Sequence, residues 1–276
     1  MKLGIIVDSS CGLTKDQVEK RGWIFMPLSL TIDGKEYIDG VDIEPETFYS
    51  KITPESKVKT ACTSPGIITK ILKDHVKKYD HIIVYAISIN LSSQTSNISM
   101  AAKDFKNVDV IQSKGVGNMI VKNCEEIEKH ANNGAKIDEL LALGEKMSNN
   151  LHGLVVPQYM DWLVSGGRIS PAAAKMAGML KIIPIIELKD GKLDKYGKGR
   201  SFRKTLKKSA QALLKEDGRD ENVEWLIYNA RNEEIDSIKL DIEKIVGRKI
   251  NVYSFPPIVG VHVGKGAVAI VTYKNL

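Results

Sequence analysis

The stretch Ile82-Ile83-Val84-Tyr85-Ala86-Ile87 runs directly into Ser88-Ile89-Asn90-Leu91-Ser92-Ser93-Gln94-Thr95-Ser96. Six apolar residues, several of them β-branched, predict a buried strand. The hydroxyl-rich run behind it predicts a polar turn that opens a helix at the strand's carboxyl end. Ligands of open α/β sheets bind at such ends. Neutral hydroxyls and the partial positive charge of a helix N-terminus favour a small anionic or polar head group.

The flanking sequence extends the pattern. Leu3 to Val7 predicts a first strand. Thr14-Lys15-Asp16-Gln17 forms a capping box, with Leu13 and Val18 placed as its hydrophobic staple. Ile24 to Ile32 reads as one extended segment closed by an Asp33-Gly34 turn. Ser64-Pro65 supplies an N-cap and a first-turn proline ahead of Ile68, Ile71, Leu72 and Val76 at helical spacing. A strand over 108–112 and helices over 117–130 and 137–147 follow. Strand and helix alternating in this way imply a parallel sheet. The second half is more mixed. Strands are expected over 151–156, 182–188, 223–228, 250–255 and 267–273, helices over 201–215 and 233–246, and a hairpin turn at Lys189-Asp190-Gly191-Lys192. The reading is α/β: a parallel-sheet domain over residues 1–150 and a mixed α+β domain over 151–276.

Composition narrows the function classes. The chain has 276 residues, 43% of them hydrophobic and 27% charged, which is ordinary for a soluble globular protein. Aromatic residues are only 6%, too few for the stacking platforms of a single-strand nucleic-acid binder. The three cysteines, Cys11, Cys62 and Cys124, lie far apart and lack C-x-x-C spacing. They predict neither a cysteine zinc site nor a redox pair, and they suit a reduced cytoplasmic setting. The best apolar run, Ala172 to Leu188, is interrupted by Lys175, Lys181 and Pro184, so no membrane insertion is expected. The N-terminal apolar stretch is too short for a signal peptide.

Four polar segments carry the candidate chemistry: Asp8-Ser9-Ser10, Thr60 to Pro65, Ser88 to Ser96, and Gly260 to Gly266. The first three are expected to converge at one edge of the parallel sheet. Hydroxyls of Thr60 and Ser92 beside helix N–H groups suit a carboxylate, each charge-assisted bond contributing about 1.5–3 kcal/mol. Helix capping is the competing role of each. His262, in a glycine-rich turn, is either a donor to an anionic head group, a general base, or an ordinary loop histidine. His75, His81, His130 and His152 show no metal spacing and are expected at surfaces or interfaces. Gly264-Lys265-Gly266 lacks P-loop spacing, and no G-x-S-x-G elbow is present. A Ser92–His262–Asp8 triad can be drawn, which makes a serine hydrolase the alternative reading. Residues 195–208 contain no acidic side chain. They form either a solvated face or a docking patch for an acidic protein or phosphorylated product; a nucleic-acid-binding regulator is the third and weakest reading. Arg168 serves either a head group or a domain interface.

Taken in order, these segments resemble the DegV family of fatty-acid-binding proteins. The matching run is Val7-Asp8-Ser9-Ser10, Pro27-Leu28, Phe48-Tyr49, Lys59-Thr60, Ser88 to Ser96, Gly166-Gly167-Arg168-Ile169-Ser170, Lys181-Ile182-Ile183-Pro184-Ile185, Gly191-Lys192-Leu193, Gly199-Arg200 and His262-Val263-Gly264-Lys265-Gly266-Ala267. The family's T-S-Q-P-S-P is here Thr60-Ala61-Cys62-Thr63-Ser64-Pro65, and its S-S-G-L-S-G is Ser88-Ile89-Asn90-Leu91-Ser92-Ser93. Thr60 and Ser92 stay in place, with Thr63 and Ser93 as substitute hydroxyls.

The resemblance implies a two-domain fold with a long acyl chain buried between or beneath the domains. It implies a fatty-acid carboxylate held by Thr60, Ser92 and His262, no cofactor or metal, and no catalytic residue in this chain. It also implies service as the binding subunit of a bacterial fatty-acid kinase, presenting the carboxylate to a separate ATP-binding subunit that makes the acyl phosphate, with Arg200 and Arg203 at the docking region. A sixteen-carbon tail such as that of palmitate has about fourteen methylenes to bury at ~0.8 kcal/mol each, about 11 kcal/mol before ordering costs. Met176, Met179, Leu180, Ile183 and Ile185 either line its tunnel or pack in an ordinary core.

Overall fold

The computed structural model describes residues 1–176, 182–217 and 220–274. The chain divides into two compact units, Met1–Glu44 with Lys57–Asn149, and Pro45–Ser56 with Asn150–Leu276. Residues 45–56 thus go with the second unit, although they fall inside the 1–150 segment of the sequence reading. The reason is burial: Phe48 and Tyr49 are 0% and 2% exposed, and Tyr49 Oη donates to the Phe255 carbonyl at 3.3 Å.

The first unit is built on a parallel sheet in the order Ile24–Met26, Leu3–Asp8, His81–Tyr85, Val108–Val110. Its strands are apolar at successive positions because both faces are covered. Ile5, Val7, Ile83 and Tyr85 face one core with Ile120, Cys124, Ile127 and Leu140 from the helices Asn118–Asn132 and Ile137–Ser148. Ile6, Ile82 and Val84 face another with Ile68, Leu72 and Ile98 from the helices Pro65–His75 and Gln94–Ala102.

The extended segment expected over Ile24 to Ile32 is broken. Ile24–Met26 joins the parallel sheet, whereas Ser29–Ile32 lies at the centre of a separate antiparallel sheet between Lys35–Ile38 and Val58–Ala61. Pro27 has no N–H to continue a ladder, and the Leu28 N–H donates to Ser9 Oγ at 3.2 Å instead. The Asp33-Gly34 hairpin turn forms as expected, with φ of 50° and 85°, the positive values that such a turn requires.

Asp8 ties two strand ends together. It is fully buried, and its Oδ2 accepts from the Ile87 N–H at 2.9 Å. Its Oδ1 accepts from the Ser10 N–H at 3.2 Å and from Ser10 Oγ at 2.5 Å. The Ile87 carbonyl accepts from Thr95 Oγ1 at 2.6 Å. Burial pushes the Asp8 carboxyl up to about 6, against the opposing pull of its hydrogen bonds.

The second unit is built on a six-stranded sheet in the order Lys192–Gly199, Ile183–Lys189, Leu151–Val156, Val268–Lys274, Val223–Asn229, Asn251–Ser254. Every neighbour is antiparallel except the last pair, which is parallel. Leu206, Ala210 and Leu213 of the helix Phe202–Glu216 and Ile238 and Ile242 of the helix Ile235–Val246 cover one face, against Leu154, Ile185, Trp225, Ile227 and Ile270. Ile185 and Met176 are buried and Ile183 is half-buried; Met179, Leu180 and Lys181 lie outside the described residues. His152, expected at a surface or interface, is only 6% exposed within this unit. Among the described residues no helix is long and apolar enough to cross a membrane.

The segment read as a glycine-rich turn around His262 is in part a helix, Pro257–Val263. Pro257 stands at its first position, where a missing N–H costs nothing. The helix stops at Gly264, whose φ is 74°. Gly260 lies on the helix rather than in a turn, and a Cβ there would stand 2.6 Å from Tyr49 Oη and 2.7 Å from a Phe48 ring carbon. Bulk at this position must push the helix away from Pro45–Lys51. Gly260→Val is expected to destabilise the protein by about 1–3 kcal/mol, read from urea unfolding; an unchanged midpoint and slope would contradict this packing.

The raised Asp8 pKa makes a second prediction. The folded state favours the protonated carboxyl, so this contribution is fully present below the ordinary value of 3.8 and is lost as pH rises through about 6. The swing is about 3 kcal/mol at about 1.4 kcal/mol per pH unit. The unfolding free energy of the native protein minus that of Asp8→Asn should therefore fall by about this amount between about pH 3 and pH 7. A difference that stays constant, or that rises with pH, would show that burial does not dominate at Asp8.

Candidate functional site

In the first unit, the carboxyl ends of Leu3–Asp8 and His81–Tyr85 carry a layer of hydroxyl, amide and thiol groups. Beyond Tyr85 the chain stays buried through Ser88. The Ser88 and Ile89 N–H groups donate to the carbonyls of Gly115 and Ser113 at 2.9 and 3.0 Å. The turn then folds back on itself: the N–H groups of Leu91 and Ser92 both donate to the Ser88 carbonyl, at 3.0 and 3.1 Å. Ser88 Oγ accepts from the Asn90 N–H at 3.2 Å. This closure delivers Ser92 to the start of the helix Gln94–Ala102.

Ser92 is half-buried. Its Oγ accepts from the Gln94 N–H at 3.2 Å and stands 3.6 Å from Cys62 Sγ. A serine hydroxyl carries one proton and two acceptor sites. Capping Gln94 takes one acceptor site, and across the Cys62 contact either group can be the donor. Thr60 lies two residues before Cys62, half-buried on the Val58–Ala61 strand opposite Leu30. It is a strand residue of the small antiparallel sheet, not part of a loop as its sequence suggested. Ser93 is exposed, in helical conformation, and forms no side-chain cap bond.

Thr63 has a different place. It is 4% exposed, its Oγ1 donates to the Pro27 carbonyl at 2.7 Å, and the same oxygen accepts from Gln94 Nε2 at 2.7 Å. The Thr63 N–H donates to Gln94 Oε1 at 2.9 Å. Thr63 and Gln94 thus clasp each other through both ends of the amide. The Thr63 hydroxyl already holds two protein partners, whereas Ser92 is the more open group. Gln94 was not singled out from the sequence, although a glutamine at a helix start, fully buried, fixes how the Thr60–Pro65 segment meets the Ser88–Ser92 turn.

Asp8 lies in this layer, but its oxygens accept from Ser10 and Ile87. The hydrolase reading needs that carboxylate to orient a histidine, and here it braces the backbone instead.

In the second unit, His262 sits on the Pro257–Val263 helix with its ring against Gly166, where a Cβ would overlap the imidazole. Burial, and then the positive charge of Arg168, lower the His262 pKa to about 4. The imidazole is therefore neutral at pH 7 and acts as a hydrogen-bonding group, not a cation. Arg168 is exposed and donates to the Gly166 carbonyl at 2.7 Å. Arg200 is exposed just ahead of the helix Phe202–Glu216. Arg203 pairs with Asp241 at 2.5 Å, and Lys207 reaches the same carboxylate at 3.1 Å.

Comparison with known proteins agrees with this architecture. The family model for DegV, described as a family of uncharacterised proteins, matches residues 2–275. A DegV domain-containing protein from Mycoplasmopsis pulmonis is 38% identical over 275 residues, spanning 99% of this chain and 96% of its own. Two solved structures share the fold. One is a fatty acid binding DegV family protein from Streptococcus agalactiae, with a TM-score of 0.88, 23% identity and full coverage of both chains. The other is a stearic acid-binding protein from Eubacterium ventriosum, with a TM-score of 0.84 and 23% identity over 98% of this chain and 97% of that one. A match of this extent, on a chain that carries the family's ordered segments from Asp8 to Ala267, makes the protein a member of the DegV family.

Proposed function

We propose that this protein binds a long-chain fatty acid, of about the length of palmitate, and presents its carboxylate to a separate ATP-binding kinase subunit for acyl-phosphate formation, without catalysis of its own. The observation that carries the reading is the half-buried Ser92 hydroxyl beside Cys62, held at the carboxyl end of the parallel sheet. Thr60, two residues from Cys62, supplies the second hydroxyl of the proposed head-group set. Gln94 and Cys62, the hydrogen-bonding neighbours of Ser92, are neutral, which suits a ligand whose carboxylate needs orientation more than charge neutralisation. Affinity then comes from the tail, at ~0.8 kcal/mol per methylene removed from water. The fatty-acid ligands named for the Streptococcus agalactiae and Eubacterium ventriosum proteins support the same chemistry.

The part assigned to His262 rests on the family resemblance, and its neutral state fits a donor to a carboxylate. The kinase partner rests on that resemblance too, with exposed Arg200 as the docking residue; Arg203 is held by Asp241. The cytoplasm is the proposed location. Arg200 on a basic stretch gives a partner that carries phosphate an electrostatic reason to dock there.

The test is direct. Denaturing the purified protein and analysing the extract by mass spectrometry should release a C14–C18 fatty acid. Ser92→Ala should weaken fatty-acid binding about tenfold or more, the loss of one charge-assisted bond. An empty extract, with no uptake of added C14–C18 acids, would overturn the reading; an unchanged affinity in Ser92→Ala would remove Ser92 from the head-group set.

A further inference from the structure

The second unit contains a cluster of metal-ligating groups that the fatty-acid reading does not use. We propose that His152 Nε2, Glu187 and Glu216 bind a divalent transition-metal cation of the zinc type, with Asp217 behind the imidazole as its orienting partner. Ligand atoms of the three residues lie within 4.8 Å of one another. His152 Nε2 is 2.9 Å from Glu187 Oε1, and His152 Nδ1 is 2.5 Å from Asp217 Oδ2. The carboxylates are themselves held: Tyr196 Oη donates to Glu216 Oε1 at 2.6 Å, and Thr272 Oγ1 donates to Asp217 Oδ2 at 3.0 Å.

The fold explains why these residues meet. Leu154 faces Glu187 across the antiparallel pair. Side chains two apart share a face, so His152 and Glu187 stand side by side there. Thr272 is directly opposite His152 on the next strand. The helix Phe202–Glu216 crosses that face, and its final residue and C-cap are Glu216 and Asp217.

Electrostatics then favours a cation. A neutral imidazole has one N–H and one bare nitrogen, yet both of its nitrogens face carboxylate oxygens. A doubly protonated ring supplies one positive charge against three carboxylates, with Lys189 as a further cation acting on Asp217. Glu216 and Asp217 also stand at a helix C-terminus, where the partial charge is already negative and carboxylates are disfavoured. A divalent ion on Nε2 answers each of these. Asp217 fixes the Nδ1–H tautomer, as carboxylates commonly do behind metal-bound histidine. Imidazole nitrogens and carboxylate oxygens are both zinc ligands, and tetrahedral bonds of about 2.1 Å put ligand atoms roughly 3.4 Å apart, inside the span observed here. The ligands come from positions 152, 187 and 216, so no short motif announces them, and the absence of C-x-x-C spacing does not bear on them. The ion would clasp two strands to the end of the helix that packs over them.

Zinc sulfate titrated into chelator-treated full-length protein, with a chromophoric chelator as competitor, tests the site. One equivalent should bind, and Tm should rise with free zinc as mass action requires. Glu216→Gln alters an exposed side chain and should leave the metal-free fold intact while weakening zinc at least tenfold. Asp217→Asn should weaken it by roughly 10- to 100-fold. His130→Gln, at the separate His130–Glu126 pair, should leave binding unchanged. Zinc bound no more tightly by the native protein than by Glu216→Gln, or binding lost in His130→Gln and kept in Glu216→Gln, would overturn the proposal.

Discussion

The polar layer of the first unit depends on one buried carboxylate. Asp8 closes the first strand and accepts the N–H of Ile87, the residue that leaves the neighbouring strand. With Ser10 on its other oxygen, it joins two strand ends whose pairing with each other stops at Val7 and Tyr85. Everything downstream inherits that anchor: the backbone bonds of Ser88 and Ile89, the return of Leu91 and Ser92 onto the Ser88 carbonyl, and the entry into the helix that Ser92 caps. Burial makes the anchor costly to ionise, and the surrounding donors offset only part of that cost. A carboxylate is retained there because three donors converge where no apolar side chain could satisfy them.

A second constraint keeps the layer rigid. Thr63 and Gln94 are joined by paired bonds, so the two segments carrying Thr60 and Ser92 meet in fixed register. The groups left half-open are the Ser92 hydroxyl and the Cys62 thiol. In the proposed fatty-acid complex these two neutral groups would orient the carboxylate without the large desolvation cost that a buried cation would bring, and the acyl tail would supply most of the free energy.

The elements whose causes are local were legible in the sequence. The strand after Asp80, the capping box at Thr14 and the proline-led helix at Ser64-Pro65 each form where their residues predict. What was not legible depends on distant partners. Ile24 to Ile32 looks continuous because both halves favour extended backbone; only the Ser9–Leu28 bond and the proline reveal that it feeds two sheets. Gly260 and Gly264 read as turn residues, yet Gly260 is small because Phe48 and Tyr49 lie against the helix. Of the hydroxyls, the sequence put Thr60 and Ser92 first, with Thr63 and Ser93 as substitutes, but could not show that Thr63 is engaged by Gln94, a partner 31 positions away. The surroundings of His152 were not legible for the same reason, since its neighbours come from three other elements.

The dependence of affinity on acyl-chain length separates tail-driven binding from head-group-driven binding. Dissociation constants for saturated fatty acids from C10 to C16 should fall about fourfold per added methylene, the equivalent of ~0.8 kcal/mol each. Affinities that stay flat across the series, with binding set by the carboxylate alone, would contradict the account.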